Sequence, residues 1–147
     1  MKAITRLILT AEKEWRSEFI RKQTVLKKAL ILILKNLCAK QDWSYEILSG
    51  GAGFSVSAPA QNNERNSATI NFKMLTLKDA AGTLEKYRYY WPIIQGIKRP
   101  KNGGPILYVN PNYDSMKLNT LSGIKKLTHS LPEFVAEVKG AEYRHMD

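Results

Sequence analysis

Residues 43–74 read WSYEILSGGAGFSVSAPAQNNERNSATINFKM, and this stretch gives the clearest secondary-structure pattern in the chain. Apolar and polar residues alternate along it in three runs, 43–48, 54–58 and 68–74. Alternation with a period of two is typical of strands that bury one face and expose the other. A Gly-rich turn separates the first two runs and a polar loop separates the last two. The stretch therefore predicts an antiparallel meander with one wet face.

On the N-terminal side of the meander, residues 4–40 contain no Gly or Pro and carry apolar residues three or four positions apart. This spacing predicts one long helix, or two helices joined near residues 21–24, where apolar residues become sparse. Around residues 30–34 the helix is apolar on every side. We therefore expect that portion to lie inside the core.

The C-terminal half is predicted to be a mixture of short elements. Residues 79–91 suit either a capped helix or a strand, and their alternating aromatic residues favour the strand. By composition, residues 98–105 form a loop, and 106–109 form a short strand. Two helices are expected to follow, at 118–131 and 130–138, the second opened by a capping box with Pro in its first turn.

These patterns predict an α+β fold. It would be an antiparallel meander of three to five strands packed against a long N-terminal helix, with short C-terminal helices. A length of 147 residues fits a single domain spanning 1–147. The single cysteine and the lack of a signal peptide or of a stretch able to span a bilayer favour a soluble, cytoplasmic protein.

Charge is the most unusual bulk property of the sequence. Lys and Arg number 23 against 13 Asp and Glu, which gives a net charge of +10. Residues 1–40 hold ten cations and three acids, whereas residues 41–77 are almost neutral. A surplus of this size favours polyanionic partners, although it says nothing about the fold.

The inventory of catalytic and metal-binding residues is poor. Cys38 lies in an apolar run, where burial raises the pKa of a thiol and makes it unreactive. His129 follows two lysines on a predicted helix, and His145 is close to the chain end. The glycines at 50–53 lack the Lys-Ser/Thr ending of a phosphate-binding loop, so a hairpin turn explains them better. No cofactor is indicated, and an enzyme is the less favoured interpretation.

The clearest functional signal is a mixed aromatic and cationic run at 86–101. Cations neutralise phosphates, and aromatic faces stack on unpaired bases, so single-stranded nucleic acid is the favoured partner. Packing of the same aromatic residues in a core is the competing interpretation. The candidate nucleic-acid-binding residues are Lys86, Arg88, Tyr89, Tyr90, Lys98, Arg99 and Lys101, together with Lys27 and Lys28 of the N-terminal helix.

The predicted order of a helix, three antiparallel strands and a further helix resembles the double-stranded-RNA-binding domain. The lysine cluster that this family places at the start of its second helix is missing, because residues 78–82 hold one cation, and membership is not inferred. The leading hypothesis is a non-enzymatic nucleic-acid-binding protein. The alternatives are a protein–protein interaction module, a small inhibitor or adaptor, whose basic surface binds an acidic partner, and a small metal-free nuclease.

Overall fold

A computed structural model describes residues 2–48, 53–74, 92–111 and 121–142 of the chain. The predicted α+β class is confirmed: in these residues a long N-terminal helix and a C-terminal helix accompany an antiparallel sheet of five strands. The elements are α1 (Lys2–Gln41), β1 (Ser44–Ile47), β2 (Gly53–Ala58), β3 (Asn66–Met74), β4 (Pro92–Pro100), β5 (Leu107–Val109) and α2 (Leu121–Gly140).

Of the two possibilities for the N-terminal region, the structure has the single helix. α1 runs without interruption for 40 residues, which corresponds to about 60 Å. It ends where Asp42 adopts the left-handed conformation, with φ of 62°. The Trp43 backbone N–H then donates to the Cys38 carbonyl at 2.9 Å, which closes a Schellman-type end and turns the chain into β1.

The sheet follows the order of the chain, β1-β2-β3-β4-β5, and every neighbouring pair is antiparallel. The predicted hairpin at the Gly-rich turn is confirmed by its flanks, since Ile47 pairs with Phe54 and the Leu48 N–H donates to the Gly53 carbonyl at 3.0 Å. The last predicted strand is one residue shorter than expected, and the segment 79–91 lies outside the described residues.

One face of the sheet carries the apolar set and packs against both helices. Val56, Ile70 and Phe72 on this face are at most 1% exposed, and they form one core with buried residues of α1 and α2. A β-carbon on Gly96 would overlap Val138, so the missing side chain lets α2 lie close against β4. The opposite face carries polar residues such as Ser55, whose hydroxyl lies 3.0 Å from the side-chain oxygen of Asn71.

The expectation that residues 30–34 are buried on every side is wrong. Leu30 and Leu34 are 4% and 0% exposed, but Leu32 between them is 65% exposed. The sheet and α2 cover only the side of α1 that faces them, so an all-round apolar sequence still leaves one side in water.

The expected pair of C-terminal helices is also corrected, because α2 is one helix that continues through Pro132. Proline inside a helix removes a backbone donor and is costly. The helix continues because its apolar face is buried on both sides of the proline, with Leu127 and Leu131 before it and Phe134 and Val138 after it.

Candidate nucleic-acid interface

The candidate residues fall into three groups in the structure. Lys86, Arg88, Tyr89 and Tyr90 lie outside the described residues. The remaining cations divide between β4 with the turn that follows it and the middle of α1, and they are described in turn below.

Lys98 and Arg99 belong to a strand, which corrects the prediction that 98–105 is a loop. β4 extends to Pro100 because its backbone pairs with β3, with Lys98 opposite Ala68 and Arg99 opposite Ser67. Successive residues of a strand point to opposite faces, so the Lys98 and Arg99 side chains lie on opposite faces of the sheet. The two side chains therefore have different surroundings.

Lys98 is directed towards the helices and has a structural role. Its ammonium donates to the Ala141 carbonyl, just after the end of α2. The Asn66 side-chain amide donates to the Lys139 carbonyl at 3.1 Å in the same region. Cations and amide donors near a helix C-terminus satisfy its last carbonyls and complement its dipole. Lys98 is therefore occupied in holding α2 to the sheet.

Lys139, unlike Lys98, forms an ion pair within the described residues. Its ammonium lies 2.9 Å from the Glu64 carboxylate and 3.0 Å from the Pro59 carbonyl, so it ties α2 to the β2–β3 loop. The hydrogen bond from Lys139, and a second from the Gln61 backbone N–H, lower the pKa of the Glu64 carboxyl. The loop is thereby held beside the end of the sheet.

Arg99 and Lys101 lie on the other side, at the end of the sheet, and there the structure adds Arg65. The Lys101 N–H donates to the Arg65 carbonyl at 2.8 Å, which continues the β3–β4 ladder one residue beyond the Asn66–Pro100 pair. Arg65 and Lys101 are therefore cross-strand neighbours, and Arg99 lies two residues before Lys101 on the same face. We call Arg65, Arg99 and Lys101 the rim cluster.

The rim cluster is exposed, and the described part of the chain supplies no carboxylate that pairs with it. All three residues are exposed, and none forms an ion pair with another residue of the described ranges. Ser67, beside them, donates its hydroxyl to the Arg99 carbonyl at 3.4 Å. Because like charges placed opposite one another destabilise a sheet, the pairing of Arg65 with Lys101 does not help to hold the fold together. Three cations grouped in this way form a surface suited to phosphate or carboxylate groups.

Lys27 and Lys28 are not brought near the rim cluster. Lys27 lies beside a small apolar cavity whose lining includes Gly53, Phe72 and Met74, at the opposite end of β3 and on the helix side of the sheet. That end is about 20 Å along the strand from the position of Arg99. Lys28 is exposed on α1. The structure thus keeps the candidate cations of α1 apart from those at the end of β4.

Arg65 is the residue that the sequence interpretation missed. It lies in a polar loop in the nearly neutral middle of the chain, where it is isolated from other cations in sequence. Only the pairing of β3 with β4 places it beside Lys101. A partial signal was available, because any fourth strand that pairs antiparallel with the predicted third strand brings a later segment next to residue 65.

Of the three residues considered for catalysis, Cys38 and His129 are described, and His145 lies outside the described residues. Cys38 is 2% exposed, its thiol lies 3.8 Å from the Ser44 carbonyl, and burial raises the pKa of that thiol. His129 is exposed on α2. Within the described ranges, no three His, Cys, Asp or Glu side chains are grouped so that they could hold a metal ion. No helix in that part of the chain is both long and apolar enough to cross a membrane.

Comparison with protein-family models, curated proteins and solved structures finds no match for this chain. The element order also departs from that of the double-stranded-RNA-binding domain noted above. In the described residues β4 and β5 extend the sheet beyond β3, and α2 follows β5.

Proposed function

We propose that the protein is a non-enzymatic nucleic-acid-binding protein that holds the phosphates of a single strand on the rim cluster. The observation that supports this proposal is the grouping of Arg65, Arg99 and Lys101 at one end of the sheet without a neutralising carboxylate in the described residues. The net charge of +10 adds a long-range attraction for a polyanion.

Contacts of this kind give affinity with little sequence preference. Each phosphate neutralised on a single strand contributes a slope of about −0.7 to log K against log salt concentration. A rim cluster that engages three phosphates would account for a slope of about −2. Stacking of bases on Tyr89 and Tyr90 belongs to the same proposal and would add sequence-tolerant affinity.

The first prediction is that reversing the rim cluster removes most of this binding. The variant Arg65→Glu/Arg99→Glu/Lys101→Glu should bind a labelled oligonucleotide at least about tenfold more weakly at 50 mM salt, and its salt slope should be shallower by about 2. Fluorescence anisotropy at 50 and 200 mM salt measures both quantities. The fold should survive, because exposed substitutions usually change stability by about 0.5 kcal/mol or less each.

The matched control is Lys13→Glu/Arg21→Glu/Lys40→Glu, which makes the same charge change at three exposed positions of α1. It should weaken binding much less, because it alters the overall field but not the rim cluster. If the two variants lose the same oligonucleotide affinity, the loss depends on net charge alone and not on the position of the rim cluster. Wild-type affinity weaker than about 100 μM at 50 mM salt would exclude nucleic acid as the partner.

The same surface also suits an acidic protein partner, since carboxylates and phosphates are recognised by the same guanidinium chemistry. The rim variant distinguishes the two functions. If the partner is an acidic protein, wild type and rim variant should bind oligonucleotide equally weakly, and only the protein contact should be lost.

A further inference from the structure

The sheet face opposite the helices, which we call the polar face, carries the rim cluster at one end. The residues of β3 that point to it are Ser67, Thr69, Asn71 and Lys73, since they alternate with the buried residues of that strand. Arg99 lies opposite Ser67 on the same face. The polar face therefore offers hydroxyls, an amide and positive charge to a ligand that lies along it.

The charges of the polar face are strongly biased in sign. Among the described residues of the five strands and the rim cluster, its cations are those of the cluster and Lys73, and its acid is Glu46 on β1. Glu46 is three strands and four residues away from Arg99, or about 20 Å. Glu64, in the loop before β3, is paired with Lys139 of α2. An anionic ligand on the rim cluster therefore meets little repulsion from the described part of this face.

An exposed aromatic ring lies on the polar face beside the rim cluster. Tyr108 pairs with Ile97, which pairs in turn with Thr69, so the tyrosine side chain points to this face. Ile97 is 6% exposed and Tyr108 is 61% exposed, so the ring is what a ligand meets there. No other aromatic side chain of the described strands points to the polar face.

Tyr108 and Arg99 are close enough to contact one nucleotide. Arg99 lies two residues beyond Ile97 on β4 and is the diagonal neighbour of Tyr108. Diagonal neighbours on one face of a sheet are about 7–8 Å apart, within reach of aromatic and long side chains. A nucleotide can therefore place its phosphate on Arg99 and its base on the ring. A base inside a duplex is stacked between its neighbours, so this arrangement favours an unpaired strand.

Two carboxylates near the ring favour one orientation of such a strand. Glu137 of α2 and Glu142 just after it line, together with Tyr108, an open hollow beside β5. A phosphate in that hollow would be repelled by like charge, whereas a base carries no charge. The phosphates are therefore directed towards the rim cluster and the base towards β5.

We propose that Tyr108 is a stacking residue of the interface and that its ligand is an unpaired nucleotide strand. One base of the strand lies on this ring while the neighbouring phosphates lie on the rim cluster. The inference rests on the proposed function and names the class of nucleic acid that the site selects, single strand over duplex. It also adds β5 to an interface that the cations alone would confine to β3 and β4.

The second prediction separates the ring from the cations with two labelled oligonucleotides of equal length and charge. One is an oligothymidylate, and the other is its abasic counterpart, a sugar–phosphate strand without bases. Tyr108→Ala should bind the oligothymidylate at least about fivefold more weakly than wild type, because stacking of one base on a ring contributes at least that much. Its affinity for the abasic strand and for a duplex should be unchanged. Fluorescence anisotropy at 50 mM salt measures all three affinities.

Two tyrosine variants and the rim variant serve as controls. Tyr108→Phe keeps the ring and should bind like wild type. Tyr45→Ala removes a 44% exposed ring from β1, on the face that packs against the helices, and should not change oligothymidylate affinity. The rim variant should weaken binding of both strands, because it changes charge and leaves the ring in place. Far-UV circular dichroism verifies that each variant folds.

A crosslinking measurement on the wild type requires no variant and therefore does not depend on the folding of Tyr108→Ala. An oligonucleotide that contains iodouracil should crosslink to Tyr108 on irradiation, and mass spectrometry locates the modified residue. Crosslinks that map to other residues and leave Tyr108 unmodified would overturn the stacking role.

The outcomes separate this inference from the function on which it rests. A wild type that binds neither oligonucleotide overturns both. A wild type whose binding depends on the rim cluster, with Tyr108→Ala equal to it on both strands, overturns only the stacking role. If wild type binds an oligolysine peptide and Tyr108→Ala loses that binding alone, the ring belongs to a contact with a basic protein, and the inference is wrong.

Discussion

The first and last thirds of α1 carry similar apolar repeats but have different surroundings. In the last third, Leu30, Leu34 and Leu37 are 4% exposed or less, because the sheet and α2 lie over them. In the first third, Ile4 and Ile8 occupy the same kind of position and are 59% and 58% exposed. The periodicity of a helix states which residues share a face, and it carries no information on whether another element reaches that face.

The same contrast is seen across the helix as well as along it. Leu32 and Leu34 are two positions apart in one apolar run, yet only Leu34 faces the sheet and α2. In β4, Lys98 and Arg99 are adjacent cations, yet within the described residues only the Lys98 side chain has a hydrogen-bond partner, the Ala141 carbonyl just after α2. Each pair offers matched residues that differ mainly in what covers them, so each tests the contrast directly.

The largest expected effect is the difference in the free energy of unfolding between variants of Leu34 and Leu32. Leu34→Ala should lower the free energy of unfolding by about 3 kcal/mol, because it removes a fully buried side chain and leaves a cavity. Leu32→Ala should change it by less than about 0.5 kcal/mol. Urea denaturation followed by circular dichroism gives both values. Similar losses for the two variants would mean that the exposed side of α1 is also covered in solution.

A smaller difference is expected between the two cations of β4. Lys98→Ala should cost about 1 kcal/mol of stability, since the Ala141 carbonyl loses its donor, whereas Arg99→Ala should stay within about 0.5 kcal/mol. Oligonucleotide binding should respond in the opposite order, with Arg99→Ala the weaker binder. If Lys98→Ala weakens binding without loss of stability, the assignment of Lys98 to a structural role is wrong.

The smallest effect comes from Glu64 and depends on pH. Its folded pKa lies below its ordinary value because Lys139 donates a hydrogen bond to the carboxylate. The group therefore stabilises the fold above its unfolded pKa, and that stabilisation is lost as pH falls through the folded pKa. The carboxylate is partly exposed, so we expect at most about 0.5 kcal/mol.

The measurement is the stability of wild type and Glu64→Gln as a function of pH in the acidic range. As the pH falls, wild type should lose the part of its free energy of unfolding that comes from the Glu64–Lys139 contact. The Glu64→Gln variant should lack that contribution at every pH. Glu133→Gln, at an exposed position of α2, is the control and should follow wild type. Parallel curves for wild type and Glu64→Gln would show that the contact with Lys139 does not stabilise the fold.

Much of the architecture could be predicted from local patterns. The period-two runs located β1, β2 and β3, and the helical spacing located α1, because buried backbone must form one of these repeats to satisfy its hydrogen bonds. The C-terminal boundaries were less accurate. Pro132 looked like the start of a helix, and buried neighbours on both sides kept the helix continuous through it.

The candidate site was predicted only in part, for a reason that concerns sequence distance. Arg99 and Lys101 were identified from their local basic run, whereas Arg65 is separated from them by more than thirty residues. Local composition also placed Lys98 in a loop, because Lys, Pro and Gly are common there. The pairing of β3 with β4 makes residues 98–100 of the predicted loop part of a strand, and it places the Lys98 side chain on the face that the helices cover.

The helical and strand repeats, the +10 charge and the apolar side of each element can all be read from the amino-acid sequence. These follow from the fixed geometry of helix and strand, in which side-chain direction depends only on position. Which of those sides meets another element depends on how the chain folds in three dimensions. Burial of Leu34, exposure of Ile8 and the meeting of Arg65 with Lys101 all depend on contacts between distant segments, and the chain order does not specify such contacts locally.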